Sequence, residues 1–520
     1  MFCTNRSRIR RGTVTVLVLT LMASALSTGV AGASRPAADK VDKAAVLRFG
    51  VPFEDQGGPF FDPNSPKATA NPTPRLWLDL IYGTMIVETT DGKGAPGLAT
   101  AWTAPDAQTV ELTLRDGVKF SDGTPFNADA VVAAWTALIN GNRPNKGTNG
   151  QSFVGVEKIA DNKVRMKFNA PVAQNFINTD LKSANYLGVP SPAAAAKGNL
   201  DSAPLGAGPY LFDGYNTGKV VLKRNPDYYD KKLKTVGEID YIDTPIGPPA
   251  VSALQAGTVD LIWSFPPDAV QTLQSSPGIE VYSAPSPRQF QLSLCPTQGV
   301  FANQKARQAM QYAIDRDAIN EAALSGTGAP GTLILASNNP FYDKKLAKTV
   351  KYDPKKAKAL LKEAGVAEGT KVTMLVPAQP PYDAMADVIQ PQLEAVGLAP
   401  EITKTTSYAT DAARLKPDMA TVSLDPNLFN LVFKGENPLN FCAWNDPAVI
   451  AAMEATQDPT KSEADLKQAW ADFQKIALEQ SANIATNAQG VLAAYSDKVK
   501  NMTIVNAPYG PQLYGVYMTK

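Results

Sequence analysis

Apolar positions along this chain change period repeatedly, and each change marks an element. Over residues 301–323 (FANQKARQAMQYAIDRDAINEAA), Ala306, Ala309, Met310 and Ala313 fall at three- and four-residue spacing, one face of a helix. Asp315-Arg316-Asp317 then breaks and re-caps it, because an Asp side chain accepts the free N–H groups of a following helical turn. Residues 75–85 (RLWLDLIYGTM) predict a second helix, and 459–479 a third, with Leu466, Trp470, Phe473 and Ile476 along a core-facing stripe. Asp353 caps a helix that starts at Pro354 and stops at Gly365. Asn127 caps another, whose apolar face is Val131, Val132 and Trp135.

Alternation and short apolar runs predict strands at 46–51, 110–114, 155–159, 163–168, 259–263, 289–294, 371–376, 400–403 and 484–494. A helix over 384–396, stopped by Gly397, separates two of these, and strand–helix–strand in that order predicts a parallel α/β unit.

Length changes the picture from one unit to several. The chain has 520 residues, more than one hydrophobic core organises, so two or three domains are expected. At 44% hydrophobic and 19% charged residues it is globular in composition. Residues 1–33 read as a secretory leader. Arg6, Arg8, Arg10 and Arg11 precede an apolar run over 14–25, and Ala31-Gly32-Ala33 offers a cleavage site before Ser34. The run is shorter than the roughly 20 residues a spanning helix needs. Gly12-Thr13 after the arginine pair favours the general secretory route over the twin-arginine one. Without the leader the balance is 46 basic to 49 acidic residues, a net of −3, and nothing in it predicts a nucleic-acid partner. Cys3 leaves with the leader and no Cys stands near the cleavage site, so no lipid anchor is expected and the mature protein is expected to be secreted, in a periplasm or outside the cell.

Two cysteines remain, Cys295 and Cys442. In an oxidising compartment they admit either a disulfide or two buried thiols, and both readings stay open at this stage. The sequence contains no histidine. That excludes a Ser-His-Asp or Cys-His nucleophile, histidine-ligated zinc and histidine-ligated haem, and it weakens a nickel site. No cofactor and no metal are expected.

Several strings then carry a family likeness. K-x-R-Q-A-x-x-Y-A-I-D-R-D-A-I lies within 301–323. LATAW at 98–102 precedes RDGVKFSDGTPF at 115–126, GAGPY stands at 206–210, and GKVVLKRNPDYY at 218–229. AVSALQAGTVD follows at 250–260 and YDPKKAKALLKEAG at 352–365. In this order they resemble the family 5 extracellular solute-binding proteins, the peptide, dipeptide and nickel receptors of ABC importers. The resemblance implies an α/β, bilobal periplasmic-binding-protein-like fold (type II, three-domain variety), with two lobes joined by hinge strands. The domain limits expected are 34–86 for the first part of lobe I, 87–204 for a small inserted domain, 205–286 for the second part of lobe I, 287–483 for lobe II, and 484–520 for the return to lobe I. It implies a non-enzyme that captures a peptide or another small polar organic solute and delivers it as a monomer to an ABC permease. The alternative kept is a degenerate receptor serving as an envelope sensor; a secreted enzyme finds no motif here.

The resemblance also implies where ligand contacts fall: Phe53 and Glu54 after the first strand, Trp263 and Phe265 near the first hinge strand, Arg288 and Phe290 at the start of lobe II, and Ser423, Asp425 and Asn427 in a loop two-thirds along. Arg288 either holds a carboxylate with its fork or lies on the surface, Glu54 either pairs an amine or is a solvated loop residue, and Trp263 and Phe265 alternate on a strand, so they either wall the ligand or pack the core. Peptide receptors of this family carry a string resembling W-x-x-D-Y-x-D-P, whose first Asp neutralises the peptide amino terminus. This chain has only Asp425-Pro426 of it, in a segment about five residues shorter, so the family's peptide anchor is absent in that form.

Overall fold

Alternation along Val46–Val51 puts Leu47, Phe49 and Val51 fully inside, and this strand sits in the middle of one half of a long sheet. A computed structural model describes residues 40–53, 58–65, 73–89, 93–141, 152–216, 218–263, 265–426, 429–435, 437–458, 461–504 and 510–520.

Among these residues the main sheet has 11 strands and runs through both lobes. In the first lobe Val46–Val51 pairs in parallel with Glu238–Asp243 and Leu261–Trp263, and the antiparallel strands Lys219–Arg224 and Tyr210–Asn216 extend the edge. In the second lobe Thr370–Pro377 pairs in parallel with both Leu398–Thr405 and Met419–Leu424. The strand–helix–strand order over 370–405 therefore gives the parallel unit expected, with the helix Tyr382–Ala395 as its crossover. A separate antiparallel sheet, Ala99–Asp106, Thr109–Leu114, Lys163–Phe168 and Phe153–Ala160, packs on the helix Ala128–Asn140 through Val110, Leu112, Val131 and Trp135.

Two long strands join the lobes, Ile279–Leu294 and Asn483–Ser496, paired antiparallel over their lengths. Periodicity had resolved only the second half of the first one. Its middle, Ser283-Ala-Pro285-Ser-Pro287, carries two prolines that donate no ladder hydrogen bond. The register breaks there. Pro285 faces Gly490 and Gln289 faces Ala488, so Ser286, Pro287 and Arg288 stand opposite Gln489 alone. Ser286 Oγ accepts the Arg288 N–H at 3.2 Å and fixes the bulge. Gly490 is required beside it, since a Cβ there would stand 2.8 Å from the Thr327 carbonyl oxygen.

The caps read from sequence form. Asp315 accepts from Ala318 N–H, Asp353 from Lys356 N–H and Asn127 from Ala130 N–H. The stretch 301–323 becomes the helices Gln304–Ala313 and Arg316–Leu324, with Ala306, Ala309, Met310 and Ala313 in the core of the second lobe. The third helix spans Glu463–Gln480, with Phe473 buried and Trp470 and Ile476 partly so. One segment differs. Residues 423–424, expected as the start of a loop, end the strand Met419–Leu424 in the middle of the second-lobe sheet, which pairs along its whole length with Gln289–Leu294 and at Met419 and Ala420 with Met374 and Leu375.

Candidate functional site

Three strands of the second lobe run parallel and end on the same side. After Thr370–Pro377 the chain turns through a cis Pro380-Pro381 bond and enters a helix at Tyr382. After Leu398–Thr405 it enters another at Tyr408, and after Met419–Leu424 comes Asp425. Carboxyl ends of parallel strands are where open α/β sheets hold ligands, because the chain diverges there and leaves a crevice. The bulge on the crossing strand delivers a fourth group, Arg288, to the same place.

The Arg288 Nη2 lies 3.7 Å from Asp425 Oδ2, with the two side chains 30% and 12% exposed. This is an ion pair beyond hydrogen-bond length. The Arg288 Nε is buried and meets no acceptor among the described residues, and the same holds for the Tyr408 hydroxyl. Burial pushes the Tyr382 hydroxyl above its usual pKa, while Arg288 and a hydrogen bond with Ser423 pull the other way. Burial, with Tyr382 beside it, also raises Tyr408. Ser423 is within hydrogen-bond reach of Gln489 Oε1 at 3.1 Å, and Gln489 is the residue facing the bulge. The result is a group of one cation, one anion, two protonated phenols, a hydroxyl and a carboxamide. It is equipped to hold a polar molecule by charge and hydrogen bonds.

Of the residues expected from sequence, Arg288, Ser423 and Asp425 come together in this group. Ser423 lies on a strand, not a loop, and faces Phe290 across the ladder. Phe290 is fully buried in the second-lobe core, edge-on to Tyr382 at 5.4 Å. Phe265 is buried among Leu254, Val270 and Leu273 beneath two helices of the first lobe. Phe53 is buried edge-on to Trp77 at 5.9 Å, its N–H donating to Asp243. All three are buried in this conformation. Trp263 is partly buried on the first-lobe cluster. Glu54 and Asn427 lie outside the described residues.

Tyr382, Tyr408 and Gln489 were not found by sequence reasoning. The available signal was positional: Tyr382 and Tyr408 each open a helix directly after a predicted strand. Among the described residues no group of three or more acidic or cysteine side chains is placed to hold a metal.

At its far end the crossing strand Ile279–Leu294 leads into Cys295, which is fully buried and joined to Cys442 in a disulfide, with Cα atoms 5.6 Å apart. The bridge ties the segment 437–444 to the second-lobe sheet.

Comparison with known proteins bears on this arrangement. The model of the bacterial extracellular solute-binding proteins, family 5 middle, matches residues 93–432. The chain belongs to that family. Among family 5 relatives, the glutathione-binding protein GsiB of Escherichia coli (strain K12) is 31% identical over 282 residues, and that of Shigella flexneri serotype 5b 30% identical over 280. In both cases the match covers 53% of this chain and 54% of the relative, so it spans about half of each. The same bilobal fold is present in the solved substrate-binding protein CtaP of Listeria monocytogenes, with a TM-score of 0.78 and 22% identity over 92% of this chain and 100% of that one. NikA of Brucella suis, solved with Fe(III)-EDTA, gives 0.77 and 20% identity over 92% and 100%. DppA of Helicobacter pylori, solved with a peptide, gives 0.72 and 22% identity over 92% and 98%.

Proposed function

We propose that this family 5 protein is the secreted receptor of an ABC importer, which captures a peptide or similar small polar organic solute between its lobes and delivers it to a membrane permease. The observation that carries this reading is the polar group Arg288, Tyr382, Tyr408, Ser423 and Asp425 at the carboxyl ends of the second-lobe strands, beside the bulge in the strands that join the lobes. Closing about that bulge brings the first lobe, at Trp263, over the group. Expelling water then strengthens each charged contact, because the same pair interacts more strongly at lower dielectric.

The ligand contacts proposed are Arg288, Ser423 and Asp425, with Trp263, Glu54 and Asn427. Phe53, Phe265 and Phe290 support them from behind. The domain limits proposed are those read from sequence, with 87–204 as the small inserted domain. The protein acts as a monomer and performs no chemistry; the matched relatives are binding proteins, and the chain has no histidine to act as a base. No helix of the described residues is long and apolar enough to cross a membrane.

The test is a melt of protein stripped of small molecules by unfolding and refolding, across peptides, amino-acid conjugates and metal chelates. A true ligand at about 100 times its Kd raises stability by about 2.7 kcal/mol, a rise of a few degrees. A flat response to the whole panel would refute the reading.

A further inference from the structure

Within that receptor reading, the geometry points to an acid-selective site: a carboxylate of the ligand docks on Arg288 and Tyr408 in the second lobe, and Asp425 is a placeholder for it and no amine anchor. The group is rich in donors and poor in acceptors. The Arg288 Nε and the Tyr408 hydroxyl are both buried and lack an acceptor among the described residues. The Tyr382 hydroxyl shares Ser423, whose other neighbour is Gln489. Asp425 supplies the counter-charge at 3.7 Å, too far to take up a guanidinium N–H.

A planar carboxylate matches an arginine fork with two parallel hydrogen bonds, and a buried phenol that lacks an acceptor offers a third. An ammonium group brought to Asp425 would instead lie next to a fixed guanidinium, and like charges that close repel strongly in a site shielded from water. Asp425 follows the strand Met419–Leu424, which the crossing strand holds along its whole length, so only its side chain has to give way to the ligand's acid. The ligand class is therefore a small organic acid, such as an amino-acid or peptide conjugate that presents a free carboxylate to this lobe.

Matched pairs decide the matter. Amino acids, di- and tripeptides including glutathione, and sugar acids are each offered as the free acid and as the primary amide, by melt and then by calorimetry. Binding is expected from free acids only. For an acid that binds, Arg288→Gln raises Kd about tenfold to a hundredfold, and Arg288→Lys recovers part of that loss. Tyr408→Phe raises Kd about threefold to tenfold. Asp425→Asn lowers Kd, since it removes the anion that competes for the guanidinium. Melts without ligand check that each variant is folded; if Arg288→Gln is not, the Tyr408→Phe and Asp425→Asn results decide. Amides that bind as tightly as their acids, or a loss of binding in Asp425→Asn with none in Arg288→Gln, overturn the inference and leave the receptor reading standing. A panel in which neither member of any pair binds refutes the receptor reading and this one with it.

Discussion

The Arg316 Nε donates to the carbonyl oxygen of Ala485 at 2.7 Å, tying the second signature helix to the crossing strand Asn483–Ser496. The same guanidinium donates to the carbonyls of Gln311, Ile314 and Gly331 and to the Gln311 side chain. Among the described residues it forms no salt bridge, and burial lowers its pKa to about 10 against the pull of Tyr342, Asp315 and Asp317. It works as a rigid donor array. Arg316→Met removes that array and is expected to cost roughly 3 kcal/mol or more in a urea melt. Arg316→Lys, with one compact ammonium, recovers only part of it.

Cys295 and Cys442 close a loop of 147 residues across the second lobe. The double variant Cys295→Ala/Cys442→Ala is expected to lose about 2–5 kcal/mol. Urea melts of the native chain with and without a reductant measure the same quantity, and the reductant should leave the double variant unaffected.

Four charges lie buried where the helix Arg75–Tyr82 meets the segment around Lys182. Arg75 pairs with Asp79 at 2.9 Å and with Glu88 at 3.1 Å, and Lys182 stands 3.9 Å from Glu88. Removing one member leaves buried carboxylates short of a cation. Arg75→Met is therefore expected to cost about 3–5 kcal/mol. Glu401→Gln, at an exposed pair with Lys371, should change stability by less than about 0.5 kcal/mol. The two melts side by side test whether burial sets the difference.

Gln291 is 1% exposed, and neither polar atom of its side chain meets a partner among the described residues. It faces Val422 across the ladder, in an apolar part of the second lobe. Gln291→Leu is expected to keep or raise stability, by up to about 1 kcal/mol, because a buried amide without a partner is costly. A loss of more than that would show that the carboxamide is held in solution by a contact.

Much of the fold was legible in the chain because local chemistry agreed with tertiary structure. Asp315, Asp353 and Asn127 cap as read, and Gly257, Gly365 and Gly397 take the positive φ that ends a helix. The strand Met419–Leu424 was not legible, since DMATVSLDP contains turn-forming residues at both ends and its strand character comes from neighbours far away in sequence. Nor was the length of Ile279–Leu294, where the prolines that read as a break form a bulge inside one continuous strand. In the site, Arg288 and Asp425 come together, and Phe53, Phe265 and Phe290 are buried, where large apolar side chains gain most. Tyr382 and Tyr408 could be placed only once the ends of the parallel strands were known to converge.

The measurement that tests solute capture most directly is native mass spectrometry of the protein as its own host secretes it, followed by denaturation and identification of what is released. The prediction is one small organic acid per chain, lost on unfolding. A folded protein whose mass is that of the mature chain alone, and which gains no mass when the host's medium is added back, would contradict it.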